Sequence, residues 1–268
     1  MAFDMNNFVI DRIIRGVALN QKDDSVLFSI NQIQNASLNC ASESTDAVDA
    51  MGTPIATFYR AKSCEFSAEN ALFDMNLMAT QLGTKKKVAS ADAKVIAPAM
   101  ESFTAKGGKY VLKHAPIAVP GEIYAINGDS TFGVKYVKET SASDTAFAYA
   151  EADHSITLPT GIKDGTEMFV MYEYETKNAV EVVNSANNFP VGCKFVMEVL
   201  GCDVCDQTNL VYAYVIFNNA KLSPDFDWSI ATDGTHPFSM KAQQDYCDKE
   251  KKLFSIVIPG DDEAEVKE

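Results

Sequence analysis

Arginine is scarce in this chain. Of 268 residues only Arg12, Arg15 and Arg60 carry a guanidinium, and 23 Lys and Arg face 37 Asp and Glu for a formal net charge of −14. Proteins that grip nucleic acid neutralise phosphates with Lys and Arg. This chain repels them, which still leaves room for a passage through which DNA moves without sticking. Histidine is scarce too: His114, His154 and His236. Asp153-His154-Ser155 holds the residue types of acyl transfer, but neighbours on a strand alternate faces and form no relay by themselves. The sequence has no G-x-S-x-G, no H-E-x-x-H, no P-loop and no strand-linked G-x-G-x-x-G. No run approaches the roughly 18 apolar residues of a membrane span. The start, MAFDMNNFVIDRIIRG, lacks a basic stretch followed by an apolar one, so we expect no signal peptide and folding in a cytoplasm. The six cysteines (Cys40, Cys64, Cys193, Cys202, Cys205, Cys247) then read as free thiols.

What is present is a folding composition. With 47% hydrophobic and 22% charged residues, the chain can bury the core of one large or two modest domains and is not disordered. The most informative stretch is Lys194 to Asp233. It predicts two strands joined by a loop from Gly201 to Asn209. In the first, Phe195, Met197 and Val199 oppose Val196 and Leu200. In the second, Leu210, Tyr212, Tyr214 and Ile216 oppose Val211, Ala213, Val215 and Phe217. Side chains of a strand alternate faces, so apolar residues on both faces predict cover on both. A second sheet or another copy of the protein would supply it.

Residues 1 to 20 fit either of two readings. Phe8, Val9, Ile10, Ile13, Ile14 and Val17 lie on one helical face, or the segment is an extended arm; we read an arm with a short helical piece. Ser25 to Ser42 reads as a strand, Ser44 to Gly52 as a polar loop, and Pro54 to Phe66 as a long strand. A helix follows, capped by Ser67, with Leu72, Met75, Met78, Ala79 and Leu82 as its core face and Gly83 as its stop. Thr84 to Gly108 opens with Lys85-Lys86-Lys87, lacks a period, and reads as a long exposed connection. The three lysines read as a solvated turn, or as a contact with an acidic surface of a neighbouring copy.

Residues 109 to 177 read as a compact β insertion, a small sandwich or barrel. Strands are expected at 109–114, 122–126, 131–137, 147–151, 155–158 and 166–175, with a hairpin turn at Asn127-Gly128-Asp129-Ser130. Further short strands are expected at 180–183, 226–230, 238–242 and 253–258, before an acidic tail from Gly260. The expected fold is mainly β: an antiparallel β-sandwich with one flanking α-helix (1–83 and 178–268) and an inserted small β domain (84–177).

Cys202-Asp-Val-Cys205 is the sharpest chemical signal. C-x-x-C supplies half of a zinc site or a redox pair, but no second pair accompanies it, and nothing in the sequence brings Cys193 or Cys247 to it. It reads as loop thiols. Asp225, Asp227 and Asp233 lack the spacing of a calcium loop. Catalytic, cofactor and metal residues are therefore expected to be none.

Two segments carry a family likeness. FNNAKLSPDFDWSIATDGTHPFSMKA (217–242) and GTPIATFYRAKSCEFSAENALFDMNLMATQLGTKK (52–86) resemble bacteriophage tail tube and major tail proteins. The first repeats their strand, small-residue turn, strand and T-D-G turn; the second repeats their long strand and short helix ending in L-G. The resemblance implies a virion structural protein rather than an enzyme. It implies six copies in a ring whose inner sheets join, and rings stacked into a tube through which DNA passes without specific binding. Its partners would be itself and other phage tail proteins, with assembly in the host cytoplasm and no membrane. Subunit contacts are then expected at Phe8 and Ile13, at Asp46, Val48 and Met51, and at Tyr212, Tyr214 and Ile216. Other readings are a capsid decoration or head protein, and a glycan-binding β module using Tyr136, Tyr172 and Tyr174. An enzyme would rest only on Cys202/Cys205 and the Asp153–Ser155 run.

Overall fold

The computed structural model describes residues 7–245 and 249–260. Four strands come first: β1 (Phe8–Asn20), β2 (Val26–Ile30), β3 (Ile33–Val48) and β4 (Pro54–Asn70). Helix α1 (Met75–Gln81) follows. Then come β5 (Lys87–Val88), β6 (Val95–Thr104), β7 (Lys109–Val111), β8 (Glu122–Ile126), β9 (Phe132–Glu139), β10 (Ala146–Ala150), β11 (Ser155–Thr157), β12 (Glu167–Thr176) and β13 (Val180–Glu181). The last four are β14 (Gly192–Asp203), β15 (Asp206–Leu222), β16 (His236–Ala242) and β17 (Ser255–Val257). Lys87–Glu181 forms one compact unit, and the described residues on either side of it form the other. The fold is mainly β, with one helix among the described residues. None of their helices is long and apolar enough to cross a membrane.

The larger sheet runs β2-β1-β14-β15-β16-β4-β3, with β17 on β15. It folds over itself into an antiparallel sandwich. Phe66 on β4 meets Phe195 on β14 at 5.8 Å between ring centroids, although two strands separate them in the sheet. Phe28, Phe217 and Phe238 complete the aromatic core, and Leu77 of α1 packs into it. Gly16 makes the close approach possible, because a Cβ there would lie 2.7 Å from the Phe195 ring.

Several expectations are corrected here. Residues 8–20 are a strand paired to β14 and β2, not an arm with a helical piece. Two register shifts against β14, at Asp11 and Ile14, each insert an extra residue. These bulges stretch a two-residue period into one that mimics a helix. The expected strand 25–42 breaks at Asn31-Gln32 into β2 and β3, which lie at opposite ends of the sheet. The strand ending at Phe66 continues to Asn70, so Ser67 pairs with Ser239 and does not cap the helix. Asp74 caps it instead, accepting from the N–H groups of Asn76 (2.9 Å) and Leu77 (2.7 Å). Gly83 at φ +66° does end it. The loop 201–209 shrinks to the turn Val204-Cys205 between longer strands. Residues 226–230 are not a strand; there Trp228 stacks on Phe73 at 4.4 Å. The acidic tail after Gly260 lies outside the described residues.

The second unit is a seven-stranded sheet in the order β6-β12-β8-β9-β10-β11-β7, antiparallel except at β9/β10. Asn127–Ser130 makes the expected hairpin turn between β8 and β9. The stretch expected as an exposed connection contains β6, whose Val95, Ala99, Glu101 and Phe103 are buried. Alanines and a buried acid hid its alternation. Glu101 ties the two terminal strands of this sheet together. It accepts hydrogen bonds from Tyr110 Oη on β7 (2.6 Å), from the Lys113 N–H (3.1 Å) and from Tyr172 Oη. Phe103 and Tyr110 stack across the same seam at 3.7 Å. Side chains thus close what the backbone leaves open. A two-stranded ribbon of β5 and β13 stands at the ends of this unit, with Val88 opposite Val180.

Candidate functional site

Two exposed surfaces of the larger unit stand out. The first is the ribbon of β3 and β4. The segment expected as a polar loop, 44–52, is mostly its outer end: β3 continues to Val48, and Asp46 pairs with Thr57. The turn is held by Asp49, whose Oδ1 accepts from the N–H groups of Met51 (2.8 Å) and Thr53 (2.9 Å). These bonds, Thr53 first, hold its carboxyl below the usual range. At the root, Ser42 faces Lys62 while Glu43 faces Arg60, so Ala61 is an extra residue, at φ +41°. Such a bulge bends and twists the ribbon. From Ala41 to Ser63 every residue is exposed. Met51 is 89% exposed, Tyr59 74% and Ile55 70%, with Val48 and Phe58 more than half exposed. An isolated two-stranded ribbon is marginal in water, and an apolar patch of this kind marks an interaction surface.

The second surface is the outer face of β1, β14 and β15. The expectation that both faces of these strands are covered holds fully on one side and in part on the other, where Glu198 and Leu200 are buried. Phe195, Val199 and Phe217 are buried in the core, and Ala213 is buried on the same side. On the other side Leu210 and Tyr212 are about half exposed, and Tyr214 and Ile216 partly so. Glu198 is the polar centre of this face, receiving Arg15 Nε at 2.7 Å and Tyr214 Oη at 3.3 Å. Neighbouring β17 adds the exposed Val257.

The residues expected at subunit contacts therefore divide. Asp46, Val48 and Met51 share the ribbon, while Tyr212, Tyr214 and Ile216 share the outer face of β15. Phe8 is half-buried, its ring close to Gly201. Ile13 packs against the core. Sequence reasoning missed Ile55, Phe58 and Tyr59, although Arg60 and Lys62 among them signal that this stretch is not core. It also missed Arg15 and Glu198. The acid amid KFVMEVL was the available clue.

The chemical candidates disperse. Ser155 Oγ donates to Asp153 Oδ1 at 2.7 Å, while His154 Nδ1 meets Tyr149 Oη at 3.1 Å. The serine thus faces the acid and not the imidazole, and no relay forms. The hydrogen bond from Lys109, then that from Ser155, holds the Asp153 carboxyl at about 2. Cys202 is partly buried on β14 and Cys205 exposed in the turn, its N–H donating to Asp203 Oδ1 at 2.7 Å. Cys193 sits at the far end of β14 opposite Ala220, and Cys247 lies outside the described residues. Among the described residues no three His, Cys, Asp or Glu side chains group to hold a metal. Of the aromatic trio weighed for glycan stacking, Tyr172 is buried, Tyr174 stacks on His114 at 3.9 Å, and Tyr136 packs against the core of its unit.

A comparison with curated proteins gives no match. A family model described as the YomU/Tube protein family matches residues 8–254, which span both compact units. Membership agrees with the geometry, an antiparallel sandwich with one flanking helix and large exposed apolar strands. The chain belongs to the YomU/Tube family, a phage tail tube protein family, and is a structural component of the virion tail.

Proposed function

We propose that the protein is a tail tube subunit that self-assembles into stacked hexameric rings enclosing a channel for DNA. The observation that carries this reading is the exposed β3–β4 ribbon, with Val48, Met51, Ile55, Phe58 and Tyr59 in solvent. Apolar surface of this extent favours burial at roughly 25 cal/mol per Å², and a second copy of the same chain offers it. The ribbon, with Asp46, Val48 and Met51, is the contact between copies in successive rings. The outer face of β15, with Tyr212, Tyr214 and Ile216, is the contact within a ring. The net charge of −14 suits a channel that lets DNA slide. The inserted unit, 84–177 as read from the sequence, is a decoration on this core.

Negative-stain electron microscopy of the purified chain tests the reading. Wild-type protein is expected to give rings or hollow tubes with six-fold end views. Single particles at every concentration and salt would overturn self-assembly, and another symmetry would overturn the hexamer. Met51→Asp/Tyr59→Asp is expected to leave the melting temperature unchanged and abolish stacking. Tubes of normal length from this variant would remove the ribbon from the contact.

A further inference from the structure

Where the ribbon leaves the core, Cys40 on β3 stands directly opposite Cys64 on β4. Opposed residues of an antiparallel pair have Cα atoms about 4.5 or 5.5 Å apart and side chains on one face. Disulfides need about 4.4–6.8 Å. Cys40 is exposed and Cys64 buried, and as register partners they carry their thiols side by side. Both line an open hollow of about 840 Å³ that also presents Lys62 and Lys251. We propose that Cys40 and Cys64 are an oxidisable pair that closes into a disulfide by exchange with an anionic low-molecular-weight disulfide of the oxidised-glutathione class.

The two lysines suit the carboxylates of such a reagent. Cys40, the accessible thiol, attacks as its thiolate. A bond forms between its Sγ and one reagent sulfur, the reagent S–S bond breaks, and the first thiolate departs. Cys64 then gives up its proton and attacks the Cys40 Sγ, expelling the second thiolate. Two protein thiols are oxidised, one reagent disulfide is reduced, and the two protons end on the two departing thiols. Burial, and then the contact with Cys40, pushes the Cys64 thiol up to about 11, so the second step is the slower one. The loop closed by the bond is Ala41–Ser63, the whole exposed ribbon. Cytoplasmic thiols keep the pair open, and an oxidising exterior closes it. That timing rests on the virion reading above, but the bond itself does not.

The test is to incubate the full chain with oxidised glutathione and map linkages by mass spectrometry under denaturing, non-reducing conditions. The expected product has lost two hydrogens and contains a Cys40–Cys64 linked peptide, which excess dithiothreitol opens. Cys64→Ser is expected to stop with one glutathione on Cys40, and Cys40→Ser to carry none at position 64. Cys40 and Cys64 both remaining alkylatable after full oxidation would overturn the proposal. So would linkage of either to Cys247, Cys202 or Cys205. The map of the unmodified chain decides alone, whether or not the variants fold. It is read on single subunits, so its failure is distinct from a failure to form tubes.

Discussion

Glu101 accepts three hydrogen bonds at the seam of the smaller unit. Burial pulls its carboxyl up, but the bonds from Tyr110, Tyr172 and Lys113 together hold it below its ordinary value. A depressed carboxyl stabilises the fold above its unfolded pKa and loses that contribution as pH falls through the folded one. Stability of this unit is therefore expected to decline below the ordinary 4.5. Glu101→Ala removes the acceptor of the Tyr110 and Tyr172 O–H groups and of the Lys113 N–H, and is expected to cost about 2–4 kcal/mol at neutral pH, read by thermal unfolding. It should also flatten the acid limb. His236 acts in the same direction at higher pH. It is fully buried: Nδ1 accepts the Asp74 N–H at 3.3 Å, so Nε2–H donates to Gln81 Oε1 at 2.8 Å. That pairing needs a neutral ring, and burial holds its pKa below 6.5. As pH falls through 6.5 the unfolded chain gains a proton that the folded one refuses, and stability drops. In His236→Gln, unfolding curves at pH 5 and 7 should differ less than in the wild type.

At the scale of elements, the strands of the larger unit tolerate little intrusion. Gly16→Val places a branched side chain against Phe195 and Ile33. Such overpacking is expected to cost about 2–3 kcal/mol by denaturant unfolding. Strand β1 is paired on both sides, so deleting residues 1–20 is expected to unfold the unit, not merely to prevent assembly. What the sequence hid follows a pattern. The central strands of β14 and β15 were legible, because uninterrupted apolar runs have one explanation. So were β8, β9 and β12, with turn residues and clean alternation at Met168, Val170 and Tyr172. The strand β1 was obscured by its bulges at Asp11 and Ile14, and β6 by Ala97, Ala99 and Glu101. The outer part of β3, from Ser44 to Val48, reads as loop because no core contact shapes its composition. Only half of the candidate surface was therefore anticipated. Ile55, Phe58 and Tyr59 carry no period that distinguishes a free ribbon from a buried strand.

On the scale of the whole molecule, charge sets the conditions of assembly. Copies each bearing −14 repel one another, and screening shortens that repulsion to about 8 Å at physiological ionic strength. Raising salt from about 20 to 300 mM is expected to speed tube growth, followed by light scattering. Faster growth at low salt would point instead to attractive ion pairs across the contact. The same charge predicts no mobility shift of duplex DNA at low salt, where a basic protein would bind best.

The short ribbon of β5 and β13 has a consequence for how such a chain changes over time. Val88 and Val180 are direct partners, so everything between them enters and leaves through neighbouring positions about 5 Å apart. That is a socket. Any compact domain whose own ends lie side by side fits the same two strands, leaving the register of β1, β4, β14 and β15 undisturbed. An unrelated domain grafted between Val88 and Val180 should therefore ride on the subunit as cargo.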